Sequence, residues 1–234
     1  MSEYDAVAIA DVKELKNTKG RILSVDFGEV RTGLAISDAS RFLASGIGNV
    51  KVGGIDKTAA EVARIAKEKG VRYLFEASVG GGIPILGTLT GPLRANKFEE
   101  VMGILNGTTN YILNKMIVDN MDFDTALKLA QDLGFAEKDP TADIEGHDAC
   151  RKVCILAALG FGKHVYPNQV ATEGITKITL DDVAYIGAFG GVIKLLGRAK
   201  RMDEGKIFAV VSPAIVMNGS QLASVSDVFN AILV

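Results

Sequence analysis

Apolar positions along the chain fall into two periods, and the switches between them predict its elements. RILSVDF (21–27) reads as a strand, with a turn at Gly28-Glu29 and further strands at 32–37 and 43–52. Between residues 57 and 69, Ala60, Val62, Ala63, Ile65 and Ala66 recur near helical spacing, Gly70 supplies a stop, and 71–77 reads as a buried strand. A strand–helix–strand unit of that length predicts a right-handed parallel crossover. The glycine run SVGGGIP (78–84) has the form of a tight turn needing positive φ before Pro84. Beyond it the pattern predicts a strand at 101–105, helices at 109–118 and 124–133, a polar loop at 134–146 and a long helix at 147–160. After Pro167 come a strand at 170–178, a helix at 181–189 and strands at 191–201 and 206–216. This order gives an α/β fold with a mixed sheet covered by helices.

The composition narrows the function classes. The 234 residues carry a net charge of −2, so no clustered basic excess points to nucleic acid or to a membrane surface. No apolar run reaches membrane-spanning length, and no N-terminal stretch has a signal-peptide layout. The two cysteines, Cys150 and Cys154, lack a second pair to complete a zinc site and are expected as small core residues with reduced thiols in a cytoplasmic protein. His147 and His164 have no accompanying ligand set and are read as capping or surface residues.

The stretch with most chemistry is ALKLAQDLGFAEKDPTADIEGHDACRK (126–152): a helix ending at Gly134, an acidic loop with Glu137, Asp139 and Asp143, and a new helix from about Gly146. Asp148 and Lys152 lie at i and i+4 and share a face, while Cys150 and Cys154 lie about 200° round the helix from them. Two readings stand: a surface ion pair, or the wall of a cleft whose opposite face packs Cys150, Val153 and Cys154 inward.

The positions Ala130, Gly134, Phe135, Ala136, Asp139, Pro140, Asp143, Ile144, Gly146, Asp148 and Lys152 together resemble the signature of the homoserine dehydrogenase family. FEASVGGGIPIL (75–86), VMGILNGTTNYIL (101–113), ATEGITKIT (171–179) and LASVSDVFNA (222–231) are similar to that family in the same order, so the likeness covers about 71–234. The resemblance implies the substrate-binding, catalytic domain of an oxidoreductase that interconverts aspartate semialdehyde and homoserine with NAD or NADP, in threonine and methionine biosynthesis, as a homo-oligomer. Carried over by position, Lys152 would transfer or polarise at the alcohol proton, with Asp148 as its orienting partner and a substrate contact. A lysine does this only when burial or a neighbour tunes it toward the working pH. Glu137 and Asp143 would hold the substrate ammonium. Gly107 and Thr108 would lie against the substrate, where free N–H groups suit an anionic oxygen. A monovalent cation would sit on backbone carbonyls at Glu76, Val79, Gly81 and Ile83.

The family normally precedes this domain with a dinucleotide-binding half that contributes a second lysine, and it continues beyond the equivalent of Val234. No G-x-G-x-x-G follows any strand here, so no cofactor-binding residues are assigned. Instead, RILSVDFGEVRTGLAISD, FLASGIGNV and AAEVARIAKEKG resemble the opening βββαβ segment of the YqgF/RuvX family, RNase H-like proteins of ribosomal RNA processing or junction resolution. Asp26 would match its first metal-binding carboxylate, and a nucleic-acid partner follows only under that alternative. One carboxylate holds Mg²⁺ poorly, and a strand-end role beside a glycine turn is the other reading of Asp26. The two likenesses meet within AKEKGV (66–71), dividing the chain into a partial RNase H-like segment (1–70) and a dehydrogenase-like domain (71–234), the layout of a chimera.

Overall fold

The computed structural model describes residues 20–27, 30–71 and 76–234. They fall into two compact units, one running through Glu76 and including Leu86–Gly91, the other Ala77–Ile85 with Pro92–Val234. The expected turn at Gly28-Glu29 and most of the strand at 71–77, with its crossover, lie outside the described residues.

The first unit is a three-stranded antiparallel sheet, β1 (Leu23–Phe27), β2 (Arg31–Ser37) and β3 (Ala44–Lys51), in sequential order. Alternation turns Leu23, Leu34 and Val50 to one face, where they bury against Val62 and Ala66 of α1 (Ile55–Glu68). The helix ends at Lys69, and Gly70 takes the left-handed φ of 61° that its missing Cβ allows. Asp38 closes the β2–β3 turn: it accepts from Ser40 Oγ at 2.5 Å and from the Phe42 and Leu43 amides. Those bonds, the Ser40 hydroxyl first, hold its carboxyl below the usual carboxylate range. A short helix that periodicity did not resolve, α2 (Ile85–Thr90), is capped by Glu76, whose carboxylate accepts from the Leu86 amide at 3.3 Å and the Gly87 amide at 2.8 Å.

The second unit is built on a five-stranded mixed sheet. Its strands are β4 (Glu100–Ile104), β5 (Ala171–Thr172), β6 (Gly191–Arg201), β7 (Ile207–Met217) and β8 (Ala231–Leu233), in the order β5-β7-β6-β4-β8. Only β5–β7 is parallel. The helices are α3 (Gly107–Val118), α4 (Phe123–Asp132), α5 (Thr141–Ile144), α6 (His147–Phe161) and α7 (Leu180–Ala188). One face of β6 buries Ile193, Leu195 and Ala199. At Gly197 an added Cβ would lie 2.5 Å from Val153 of α6 and 2.7 Å from Leu105, so glycine lets the helix seat close to the sheet. Leu105, Ile112, Leu113, Met116, Val153, Leu156 and Ile175 are fully buried, each worth roughly 1.5–3 kcal/mol. The other face packs Ile104, Val216, Met102, Val192 and Leu196 against Leu222, Ala223 and Val225.

Two expectations need correction. The strand expected at 170–178 is only Ala171–Thr172. At Gly174 the chain runs onto the Ile144–Glu145 backbone, where a Cβ would collide with the Ile144 carbonyl, and the Ile175 amide donates to that carbonyl at 2.8 Å. The Ile175 amide, which would extend the strand, is thus spent on α5. The polar loop at 134–146 contains α5, whose start Asp139 caps by accepting from the Thr141 amide and hydroxyl.

Candidate functional site

The site forms where β4 ends and three chain segments converge. Asn106 is the N-cap of α3, and its Oδ1 accepts from the Thr109 amide at 2.9 Å and the Thr109 hydroxyl at 3.0 Å. With the oxygen committed to the helix, the Nδ2 group must face the other way. There it donates to Asp143 Oδ1 at 2.7 Å and to Asp148 Oδ2 at 2.9 Å. One buried amide therefore gathers two carboxylates, one from α5 and one from the first turn of α6.

Lys152 completes the cluster one turn along α6. Its Nζ lies 2.6 Å from Asp148 Oδ2 and donates to the Leu105 carbonyl at 2.8 Å. The pair is neither a solvated surface bridge nor a sealed one, with side-chain exposures of 22% for Lys152 and 28% for Asp148. The opposite face of α6 buries Ala149, Cys150, Val153 and Cys154, the division expected from the sequence. Burial pushes the Cys154 thiol up to about 11, the behaviour of an inert core cysteine. Gly146, with φ of 79°, sets the start of α6; a Cβ there would meet Thr172 and Val211 at 3.2 Å.

Gly107 and Thr108 are the first two residues of α3, so their N–H groups precede the helix's own bonding. The Thr108 hydroxyl donates to the Phe135 carbonyl at 2.6 Å, tying α3 to the segment after α4. Glu137 is exposed on that segment; Gln131 Nε2 reaches its backbone carbonyl at 3.1 Å, and its carboxylate has no hydrogen-bonded partner among the described residues. Asp143, Asp148, Lys152, Gly107 and Thr108 are therefore drawn together, with Glu137 on the adjoining segment. Two carboxylates against one ammonium leave a formal charge of −1, which favours a cationic group on the ligand. Asn106 was not singled out by sequence reasoning, although its place before a helix in NGTTN is a capping signal.

Of the proposed cation positions, Val79, Gly81 and Ile83 share the second unit and Glu76 belongs to the first. Gly80 and Gly81 take φ of 79° and 61°, and Asn230 Oδ1 is a buried oxygen with no partner among the described residues; Asn230 Nδ2 would lie 3.5 Å from a Cβ on Gly81. An orphaned oxygen beside a glycine loop fits the oxygen donors that hard cations take. His147 opens α6, and His164 lies against Tyr166 with ring centroids 4.7 Å apart and planes tilted by 55°. Asp26 is exposed on β1 opposite Gly33, in a shallow groove with Ser24 and Asn49. No group of three His, Cys, Asp or Glu placed to hold a metal ion occurs among the described residues.

Fold and cluster define an α/β domain that carries an Asp–Asn–Asp–Lys constellation at the end of β4. A family model described as homoserine dehydrogenase matches residues 84–234, and the chain belongs to the homoserine dehydrogenase family. A second model, described as Holliday junction resolvase, matches residues 20–109. Among curated relatives, homoserine dehydrogenase from Bacillus subtilis is 47% identical over 175 residues, covering 75% of this chain and 40% of that protein. That from Synechocystis is 46% identical over 177 residues, covering 74% and 41%. The crystal structure of a homoserine dehydrogenase from Thiobacillus denitrificans superposes with a TM-score of 0.70 at 45% identity, over 76% of this chain and 41% of that one. A hyperthermophilic archaeal homoserine dehydrogenase in complex with NADPH gives 0.60 at 29% identity, over 74% and 49%. The chain thus spans about 40% of the length of the curated relatives it matches. No described helix is long and apolar enough to cross a membrane.

Proposed function

We propose that the second unit is the substrate-binding part of an NAD(P)-linked homoserine dehydrogenase of threonine and methionine biosynthesis, acting on L-homoserine and aspartate 4-semialdehyde. The observation that carries the reading is the Asn106 amide shared by Asp143 and Asp148, with Lys152 on the same Asp148 oxygen. Asp143, with Glu137 beside it, holds the substrate ammonium. The Gly107 and Thr108 N–H groups take an anionic oxygen at the α3 N-terminus. Lys152 has a third N–H beyond its bonds to Asp148 and Leu105, and it directs that donor to the substrate's alcohol or aldehyde oxygen. Asp148 fixes the ammonium in that aim. A monovalent cation on the backbone carbonyls of Val79, Gly81 and Ile83 steadies the glycine loop; Glu76, the fourth position the resemblance gives, belongs to the first unit.

The nicotinamide supplies the hydride chemistry of the family's reaction. No G-x-G-x-x-G phosphate cradle occurs in the sequence, so the dinucleotide is given no partner residues in this chain. Hydride transfer needs a fixed approach of the two carbons, so the chain by itself is expected to give little or no homoserine-dependent NADP⁺ reduction. The test is a thermal-shift titration with homoserine and NADP⁺, separately and together, on wild type and Lys152→Ala. Stabilisation by homoserine that Lys152→Ala loses supports the reading, and no shift with homoserine refutes it. Self-association is part of the same proposal: Tyr185 on α7, Phe189 at its C-cap, and Ile215 and Met217 on β7 are exposed, the two elements meet at Gly191, and sedimentation velocity reads the outcome.

A second reading attaches to the first unit. Its match to a resolvase family and the exposed carboxylate of Asp26 favour an RNase H-like nuclease. Mg²⁺-dependent cleavage of a branched DNA junction, lost in Asp26→Asn, would establish it.

A further inference from the structure

Lys194 lies in the middle of β6, opposite Ala214, and is 2% exposed. No carboxylate among the described residues pairs with it; its Nζ donates to Asn110 Oδ1 at 3.0 Å and to the Val225 carbonyl at 2.5 Å. An ammonium buried without a counter-charge is costly, and its same-face neighbours Val192 and Leu196 pack into an apolar cluster, so that face accommodates apolar side chains. Packing alone therefore does not call for a lysine, and its two bonds show what it holds.

Both bonds lead to one segment. Asn110, on the first turn of α3, turns its Nδ2 toward the carbonyls of Val225 (3.3 Å), Asp227 (2.9 Å) and Phe229 (3.2 Å). Asp227 is held at a left-handed φ of 57°, which costs a non-glycine residue about 1–2 kcal/mol and persists where neighbours over-determine it. The curved segment presses the Val228 carbonyl against Gly107, where an added Cβ would lie 2.6 Å from that oxygen. Gly107 follows Asn106, whose side chain gathers Asp143 and Asp148. A continuous path thus runs from a buried lysine on the far side of the sheet to the polar cluster.

We infer that Lys194 and Asn110 are positioning residues: they hold residues 225–229 against Gly107 and so fix the α3 N-terminus and the Asn106 amide for ligand binding. The binding part rests on the proposed homoserine site; the mechanical part does not. The full chain is compared as wild type, Lys194→Met and Arg198→Ala, the last removing the Arg198–Glu100 pair on the same sheet face, away from residues 225–229. Hydrogen exchange is expected to quicken tenfold or more at both 226–229 and 107–109 in Lys194→Met, with α6 unchanged. The homoserine Kd, by calorimetry, should rise about fivefold. Arg198→Ala should move neither. Unchanged exchange at 107–109 in Lys194→Met overturns the inference, whereas a wild type that binds no homoserine overturns the proposed function and leaves the exchange result standing. Should Lys194→Met not fold, wild type in low denaturant decides: 107–109 and 226–229 must open together, and separate openings overturn the coupling.

Discussion

Each unit shows a carboxylate that its family resemblance marks for chemistry, and the surroundings differ. Asp26 stands exposed on a strand opposite a glycine, in an open groove. Asp143 and Asp148 are drawn to one buried asparagine amide, and Asp148 also takes an ammonium fixed by a backbone carbonyl. The first carboxylate is where the strand puts it; the other two are where partners hold them. Preorganisation of that kind separates a site from a position that only carries the right residue type. The cores differ in the same sense. A few side chains from the three-stranded sheet and one helix make up the first, while the second packs α6 on β6 closely enough that Gly197 admits no side chain.

The contrast can be broken most forcefully at strand glycines. Gly103→Ala puts a Cβ onto the Ala231 backbone and should destabilise the second unit by about 3 kcal/mol or more, by loss of β8. Gly33→Ala, whose nearest neighbour would lie 3.6 Å away, should change the first unit by less than about 1 kcal/mol. Urea denaturation followed by probes in each unit reads both. Next in size, Asp148→Ala should weaken homoserine binding about 30-fold or more, while Asp26→Ala leaves it unchanged; calorimetry compares them.

The pH dependence of stability is a finer probe. Burial lowers Lys194 to about 8 from an ordinary 10.5, so between those values the unfolded chain binds the proton and the folded one does not. Stability should therefore rise with pH from about 8, by up to about 3 kcal/mol at 10.5. Cys154 opposes this above pH 9, because its folded thiol keeps a proton, up to about 11, that the unfolded thiol loses. The difference between wild type and Lys194→Met, measured from pH 7 to 10.5, isolates the lysine; no slope in that difference would contradict its burial. The smallest effect is expected on α1, where Arg64 pairs with Glu61 and Glu68 on an exposed face. Arg64→Ala should cost under about 1 kcal/mol by the same denaturation assay.

The sequence anticipated elements whose pattern is local. β1 to β3, α1, α4, α6, β6 and β7 lie within a few residues of expectation, because alternation, i,i+4 spacing and glycine stops are written in neighbouring residues. The opposed faces of α6 were legible for the same reason. What was missed depends on distant partners. β5 is short because Gly174 meets the backbone near Ile144, and α2 is capped by a carboxylate ten residues upstream. Asn106 carried a local capping signal, but its second task, joining Asp143 and Asp148, exists only once α5 and α6 are in place. Lys194 gave no signal at all, since a lysine within an apolar strand pattern reads as an ordinary interruption.

The pairing of β4 with β8 also bears on timing. Met102 lies opposite Leu233, whereas β6 and β7 are joined by a short turn around Asp203–Gly205. The β6–β7 hairpin can close as soon as it leaves the ribosome, but the open flank of β4 stays bare until residues 231–233 have been made. During that interval a neighbouring nascent chain could dock where β8 belongs, so the yield of soluble protein should depend on how quickly translation reaches residue 231.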